Sequence, residues 1–588
     1  MLHDLRAFIE LLRREHEIVT IDAAIDPHLE AAEIHRRVIA ESGPALLFTK
    51  IKGAAFPLVT NLFGTQKRMQ LAFGPKPEQL VRQAAALPHT LMPPSLSKLW
   101  SHRSLLLDLA KVGLKNHRSA AVTAVIDTPP QLGRLPLLTT WQEDGGPFVT
   151  LPLVYTEDPN TGIHNLGMYR LQRFDDTTTG MHCQIGKGGG FHLQAAQALG
   201  KRLPVNVHIG GPPALILSAI APLPENVPEL LLASLVMGGK LSMAHNPLGP
   251  LPVISNAEFV LVGEVDPVER RAEGPFGDHY GYYSLQHDYP VFRCRGMLRR
   301  ADAICTATVV GKPKQEDFYL GDYLQQLLAP LFPVVMPAVS DLWSYGETGY
   351  HSLAAAVVKQ RYKREAMASA FRILGEGQLS LTKFLLLTDQ PRDLKDFRGL
   401  LEHILERADF RSDLYIFSNL SMDTLDYTGP QVNEGSKGCL LGVGAPIREL
   451  PGEFVGPLPA GLTAAQPFCR GCLLVSGDNY AAAKELPQLI LKNSIFNGWP
   501  LIVLVDNVNE ASSSVSNFLW TTFTRFEPAA DIHARAQQIE RNHVAYTPPI
   551  LIDARMKPWY PKELECDDVT SQLVTRRWRE YGISLPHA

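Results

Sequence analysis

The sequence predicts a multidomain α/β protein in which a mostly antiparallel sheet or barrel lies between two regions that mix helices and strands. Three observations lead to that expectation. The chain has 588 residues, more than one hydrophobic core accommodates, so several domains are required. Between about 121 and 318, strand-like runs (AAVTAVI, FVTLPLVYT, LPVNVHIGG, AEFVLVGEV, VFRCRGML, AICTATVVG) recur between Gly, Pro and Asp turns, as antiparallel strands do. Beyond residue 335, KFLLLTD precedes DFRGLLEHILERAD, DLYIFS comes next, and PLIVLVD lies further on. Continuous apolar strands separated by helices point to a buried parallel sheet.

Taken in order, residues 1–120 form an N-terminal α/β segment. Leu2, Leu5, Phe8, Ile9 and Leu12 fall at helical spacing, and PALLFTKIKG and FPLVTNLFG read as short strands. Residues 121–318 carry the central sheet, interrupted by two helical stretches. These are HLQAAQALGKR and VPELLLASLVMGG, the second stopped at Gly238–Gly239. Residues 319–347 link this region to a C-terminal α/β domain, 348–588. There TGYHSLAAAVVKQRYKREAMASAFRIL, 348–374, predicts a largely helical opening. No internal repeat is visible. The last stretch, from PPILIDARMKPWYPKELECDD onward, is rich in proline and aromatics and predicts an ordered tail packed on a neighbour.

Composition narrows the function. With 45% hydrophobic and 20% charged residues, the chain reads as soluble and globular. A net charge of −4 and a pI near 6.6 argue against a general nucleic-acid binder. The longest apolar runs, such as PALILSAIAPLP, are broken by proline, which leaves at most peripheral membrane contact. The first residues, MLHDLRAFIELLRREHE, lack a signal-peptide core. Together with seven cysteines, that predicts reduced thiols and a cytoplasmic location. Cys469 and Cys472 form a single CxxC, which is half of a zinc site and reads as structural or accidental.

Four stretches hold residue types that carry chemistry. In IHNLGMYRLQR, 163–173, Asn165 and Arg170 flank a glycine. The arginine fork suits a carboxylate or phosphate, although such a pair is commonly a turn and a solvated charge. In MHCQIGKGGGFH, 181–192, Lys187 sits in a glycine run before a helix and could face a phosphate. The spacing is neither a Walker A loop nor a dinucleotide fingerprint, and a flexible loop is the plain alternative. PLPENVPELLL, 222–232, places Glu229 in a first helical turn, where the helix dipole alone favours an acid. With Asn165 it could also ligate a hard divalent cation. In EGPFGDHYGYY, 273–283, Glu273 and Asp278 stand across a Gly-Pro-Phe-Gly turn among aromatics. They could divide acid and base work if their surroundings set their pKa values apart.

The joint order of these stretches resembles the UbiD family of carboxy-lyases: Asn-x-Gly-x-Tyr-Arg, a glycine-rich loop, Pro-Glu-x-x-x-Glu, then Glu-Gly-Pro-Phe-Gly-Asp-His. DLRAFIELL and GPALLFTKIKG are similar to that family's N-terminal region. The resemblance implies a split β-barrel that binds prenylated FMN, flanked by an N-terminal α/β segment and a C-terminal α/β oligomerisation domain. It implies Asn165 and Glu229 as ligands of a divalent metal, usually Mn²⁺, with K⁺ close by. Met168, Tyr169, Arg170, His182, Cys183, Gln184, Lys187 and Gly188 match the cofactor-contacting segments, and Lys437 resembles a later cofactor-side lysine. Arg170 and Glu273 look like the pair beside the flavin ring, and Asp278 like the proton donor. Some members place a histidine metal ligand where Gly188 stands here; the next histidine downstream is His192, which leaves the third ligand open.

Implied partners are an aromatic carboxylate substrate, a flavin prenyltransferase as cofactor supplier, and further copies of the chain in a dimer or hexamer. The length is similar to that of the menaquinone branch acting on 1,4-dihydroxy-6-naphthoate, placed slightly ahead of the ubiquinone-pathway substrate 3-polyprenyl-4-hydroxybenzoate. A catabolic aromatic-acid (de)carboxylase comes third. Two rivals come from other classes: a metal-dependent hydrolase built on Glu229, Glu273 and Asp278, and a flavin-binding or assembly protein without catalysis. The intact Arg170, Glu273 and Asp278 set argues against the latter.

Overall fold

The computed structural model describes residues 2–92, 95–183, 188–223, 227–312 and 314–584. They form two compact units, Met1–Leu327 with Lys562–Ala588, and Leu328–Pro561.

In the first unit the N-terminal helix Leu5–Arg14 is capped by Asp4 and buries Leu5, Phe8, Ile9 and Leu12, the stripe its spacing predicts. The centre is a seven-stranded antiparallel sheet. Its strands run Thr178–Gly180, His287–Arg299, Phe259–Glu273, Leu203–Ile209, Pro152–Glu157 and His164–Gly167, with Val125–Asp127 added to His287–Arg299. The outer strands 178–180 and 164–167 do not pair with each other among the described residues. Among the described residues the expected split barrel therefore takes the form of a sheet whose two outer strands stay unjoined. Of the expected central strands, AICTATVVG leaves this sheet. Cys305–Thr306 pairs in parallel with Leu58–Thr60 of the N-terminal sheet instead, and both sheets share one core that includes Ile21, Phe48, Val205, Phe259 and Met297.

The long strand Phe259–Glu273 sets the position of the residues C-terminal to it. Its pairing with His287–Arg299 shifts between Val265 and Arg270, a bulge at the DPVER stretch. Charged residues there face solvent, and the strand returns inward at Glu273, which has no exposed surface. A bulge bends its strand and re-aims the residues beyond it.

The second unit corrects two expectations. The stretch 348–374 is not largely helical: Leu353–Val358 is a fully buried strand and only Glu365–Leu374 is a helix. The alanine-rich LAAAVV run reads as helix by propensity, but it lies between two neighbouring strands, where burial on both faces decides. The unit also contains a repeat. One five-stranded sheet is ordered Val339–Ser344, Leu353–Val358, Phe384–Thr388, Glu434–Gly442, Leu414–Ser421. The other is ordered Leu462–Cys469, Cys472–Gly477, Leu501–Val505, His543–Asp553, Ile532–Glu540. In both, the outer pairs are antiparallel and the inner pairs parallel. Residue rows correspond, Trp343–Ala355–Leu386–Leu440–Leu414 against Gln466–Leu474–Val503–Ile552–Ile532.

The two copies pack reciprocally. The short helix Phe410–Asp413 lies on strand His543–Asp553 of the second sheet, and Pro528–Asp531 lies on Glu434–Gly442 of the first. This is an isologous contact of the kind seen between identical subunits, here within one chain. CxxC falls at the turn of the second sheet's first hairpin, where Cys469 and Cys472 pair directly and are buried.

The final residues of the two short helices are equivalent and both buried, but their cationic partners differ in exposure. Asp413 accepts from the Asp409 amide at 2.9 Å and pairs with the half-exposed Arg364. Asp531 accepts from the Glu527 amide at 2.8 Å and pairs at 3.0 Å with the buried Lys557. Asp531→Asn strands a buried ammonium and is expected to cost about 3 kcal/mol. Asp413→Asn is expected to cost about 1 kcal/mol or less. Urea unfolding of both variants compares the two directly.

Candidate active site

The two acids of EGPFGDHYGYY converge on Arg170. Its guanidinium is buried, with 9% of the residue exposed. Nε and Nη2 donate to the two Glu273 oxygens at 2.8 and 3.0 Å, and Nη1 donates to Asp278 Oδ2. Nη2 also donates to Ser284 Oγ at 2.9 Å, and the plane lies 4.6 Å from the Phe276 ring centroid. The sheet makes this possible. The residue-181 end of strand 178–180 brings His182 back so that its amide donates to the Arg170 carbonyl at 3.1 Å. Gly180 packs against Glu273, since a Cβ there would stand 3.0 Å from the Glu273 Cγ.

Burial alone would raise the Glu273 carboxyl, but the Arg170 charge and hydrogen bonds from His182 and Arg170 take it down to about 2. Asp278 behaves alike. Burial opposes its ionisation, yet the hydrogen bond and charge of His279, with the Arg170 charge, hold it well below the usual carboxylate range. Asp278 Oδ1 accepts from the His279 amide at 2.7 Å and from its ring Nδ1 at 2.5 Å. His182 is shifted down by burial and by Arg170, so its ring is neutral at pH 7. Its Nδ1 lies 3.3 Å from Glu273 Oε2. Facing an ionised carboxylate, Nδ1 carries the proton, and Nε2 is left a bare acceptor. That buried Nε2 has no hydrogen-bond partner among the described residues.

A second cluster surrounds Asn165. Asn165 Nδ2 donates to the Tyr169 hydroxyl at 3.4 Å, and the Gly189 amide donates to the same oxygen at 3.0 Å. Glu229, at the start of helix Glu229–Met237, accepts from the Leu166 amide at 2.8 Å, and burial raises its carboxyl. Thus Glu229 reaches the strand at the residue after Asn165. Gly188 opens helix Gly188–Ala198; a Cβ there would stand 2.0 Å from Asn165 Oδ1. Position 188 therefore has no room for a histidine ligand with Asn165 in place. His192 Nδ1 is engaged with Thr156 Oγ1 at 2.9 Å. Among the described residues no three His, Cys, Asp or Glu side chains gather as a metal site. What the cluster offers is a pair of oxygen donors, one amide and one carboxylate, suited to a hard divalent cation.

Met168 is half-buried, and burial pushes the Cys183 thiol up to about 12. Gln184 and Lys187 lie outside the described residues. Lys437 belongs to the second unit, where its Nζ donates to the Thr382 carbonyl at 3.0 Å and burial lowers its amine to about 8. Sequence reasoning missed Ser284, Gln172 and Asp144. Gln172 accepts from the Gly274 amide at 2.8 Å and Asp144 from the Gly277 amide at 2.8 Å, so both hold the motif's turn. Only Ser284, adjacent to the quoted motif, had a positional signal. Asp317, pushed up to about 6 by burial, senses the His279 and Asp278 charges and was also unflagged.

Comparison with known proteins gives the family. Models of the 3-octaprenyl-4-hydroxybenzoate carboxy-lyase N-terminal, Rift-related and C-terminal domains match residues 9–87, 114–313 and 318–441. The chain belongs to the UbiD family of carboxy-lyases. It is 52% identical over 582 residues to an uncharacterized protein of Chlamydia trachomatis, covering 99% of this chain and 100% of that one. It is 51% identical over 577 residues to a Chlamydia pneumoniae protein named as a subunit of 4-hydroxybenzoate decarboxylase, covering 98% of each. The fold resembles the closed form of Sedimentibacter hydroxybenzoicus vanillic acid decarboxylase, with a TM-score of 0.68 at 22% identity over 84% of this chain and all of that one. It also resembles HmfF of Pelotomaculum thermopropionicum in complex with FMN, with a TM-score of 0.61 at 21% identity, over 78% of this chain and 98% of that one. No helix among the described residues is long and apolar enough to cross a membrane.

The Glu273 shift has a measurable sign. A folded-state pKa held near 2, below its ordinary value of 4.5, contributes stability that is fully present above about pH 5 and lost as pH falls toward 2. The shift corresponds to about 3 kcal/mol. Glu273→Gln is expected to remove this share, so that stability falls less steeply between pH 6 and 3. Urea midpoints of both proteins at the two pH values check it.

Proposed function

We propose that this chain catalyses the non-oxidative decarboxylation of an aromatic carboxylic acid with prenylated FMN. Arg170 orients the carboxylate, Glu273 fixes Arg170, and Asp278 delivers the proton. The observation that carries this reading is a buried guanidinium whose Nε and Nη2 are taken by one carboxylate and whose Nη1 is shared with another. Glu273 grips two nitrogens and stays; Asp278 holds one and is the replaceable partner. A substrate carboxylate arriving at Nη1 displaces Asp278. Freed from that cation, Asp278 keeps the hydrogen bond and charge of His279 but loses one of the charges that held it ionised, while its burial still favours the neutral acid. It then takes a proton from solvent and returns it to the ring carbon as CO₂ leaves, so that R–COO⁻ and H⁺ become R–H and CO₂.

The residues fit the implied cofactor. His182 Nε2 is a buried acceptor open to a ligand donor. Asn165 and Glu229 offer the oxygen donors for Mn²⁺, with K⁺ as a second ion. Met168, Tyr169, Cys183, Gln184, Lys187 and Gly188 supply the remaining cofactor contacts. When bound, the modified flavin supplies an electron sink for the charge left on an sp² carbon. The chain's own share is orientation and proton handling.

The name of the Chlamydia pneumoniae relative supports a hydroxylated ring. We take 1,4-dihydroxy-6-naphthoate and 3-polyprenyl-4-hydroxybenzoate, both quinone precursors, as the first candidates, and 4-hydroxybenzoate as the catabolic alternative. A flavin prenyltransferase supplies the cofactor, and the enzyme works as a homo-oligomer. The test is expression with and without that prenyltransferase, followed by CO₂ release from the three acids. Activity only after co-expression is expected; equal activity without it overturns the cofactor assignment. Asp278→Asn is expected to retain flavin absorbance and lose turnover by roughly 10²–10⁴. Normal turnover in a flavin-loaded variant removes the acid role.

A further inference from the structure

We propose that the C-terminal segment Lys562–Leu564 is a positioning strand for Asp278, the third strand of the hairpin that carries it. This rests on the reading of Asp278 given above. The motif folds as a hairpin in which Phe276 pairs with Ser284 and Gly277 with Tyr283. Asp278 begins its loop. The Asp278 amide donates to the Tyr282 carbonyl at 3.1 Å, and the Gly281 amide donates to the Asp278 carbonyl at 3.0 Å. Two residues per strand are too few to hold such a loop alone, because even complete two-stranded hairpins are marginal in water.

The tail supplies the missing edge. Tyr283 donates its amide to the Lys562 carbonyl at 3.0 Å, and Leu564 donates its amide to the Gly281 carbonyl at 3.0 Å. Tyr282 and Glu563 form the antiparallel bridge between them. These two bonds bracket Tyr282, the residue whose carbonyl holds the Asp278 amide. A second route runs through side chains. Leu564, 3% exposed, packs in one cluster with Trp141 and Tyr283. Trp141 in turn lies so close to Gly277 that a Cβ there would stand 2.0 Å from the indole Cδ1. Both routes end at the residue beside or within the Asp278 turn.

The segment cannot slide. Gln142 Nε2 donates to the Glu565 carbonyl at 2.7 Å, and Lys312 pairs with Glu563 at 3.1 Å. Just beyond, helix Asp568–Arg577 is capped by Asp567 and tied by Arg37 to Ser571 and Thr575. Val574, Tyr581 and Ile583 enter the core of the first unit, and the Tyr581 hydroxyl donates to Glu30 at 2.8 Å. A strand anchored at Glu563 and again from Glu565 onward fixes the hairpin edge to the body of the unit.

The test compares Leu564→Pro, which removes the amide donor, with Leu564→Ala, which keeps it and removes the packing. Both are made in the full chain co-expressed with the prenyltransferase. Amide hydrogen exchange of residues 276–284 and steady-state kinetics across pH are then measured. Expected in either variant are exchange at 276–284 faster by about tenfold or more and kcat lower by roughly 10- to 100-fold. KM should stay within about threefold, and the limb of the kcat profile set by Asp278 should move. Exchange at 276–284 unchanged in Leu564→Ala, or a loss confined to KM, overturns the proposal. If Leu564→Pro does not fold, Leu564→Ala decides by the same readings. The exchange arm needs no catalysis, so full activity in Asp278→Asn alongside faster exchange would remove the acid role and leave the positioning strand standing.

Discussion

A guanidinium taken out of water costs several kcal/mol unless charges of opposite sign meet it with good geometry, and Arg170 is buried with two carboxylates and a hydroxyl on its nitrogens. Much of the first unit serves that requirement. The bulge in strand Phe259–Glu273 turns Glu273 inward, and Gly180 leaves space for its side chain. The neutral His182 satisfies the second Glu273 oxygen without adding a competing charge. Glu273 takes two of the Arg170 nitrogens, whereas Asp278 takes one and leans on His279 for the rest of its charge balance, which suits a fixed clamp and a more loosely held acid.

The oxygen donors of Asn165 and Glu229 lie on the neighbouring edge strand and helix, and they depend on backbone shape more than on charge. Position 188 must be glycine for Asn165 to keep its place, and the Tyr169 hydroxyl joins that strand to the helix start through the Gly189 amide. The Asn165 cluster and the Arg170 cluster thus rest on different physical supports a few residues apart along the chain, one packing-limited and one charge-limited.

Local patterns in the sequence foretold what local forces decide. The amphipathic first helix, the antiparallel central sheet and the Gly238 stop were legible because periodicity and turn chemistry act over a few residues. The acids at 273 and 278 were legible as a pair, and their family order gave Glu273 the partner Arg170 and Asp278 a separate role. Their common grip on that one arginine was not, since it depends on a bulge several residues away in a strand. LAAAVV was misread because its strand character comes from two flanking strands distant in sequence. The repeat in the second unit escaped notice because its two copies share pairing order and row positions but almost no residue identities: Trp343 stands opposite Gln466, and Ala355 opposite Leu474. Ser284, Gln172 and Asp144 were missed because each acts through a backbone or guanidinium contact that no spacing rule encodes.

The chain leaves the first unit at residue 327 and re-enters it at 562. Protein synthesis runs from the N-terminus, and domains begin to fold as they emerge. Arg170, Glu273 and Asp278 are therefore made and available to pair while the whole second unit is still to come. The edge strand that completes their hairpin is made only after the whole second unit. A chain stopped before residue 562 holds every charged residue of the site and still lacks that edge.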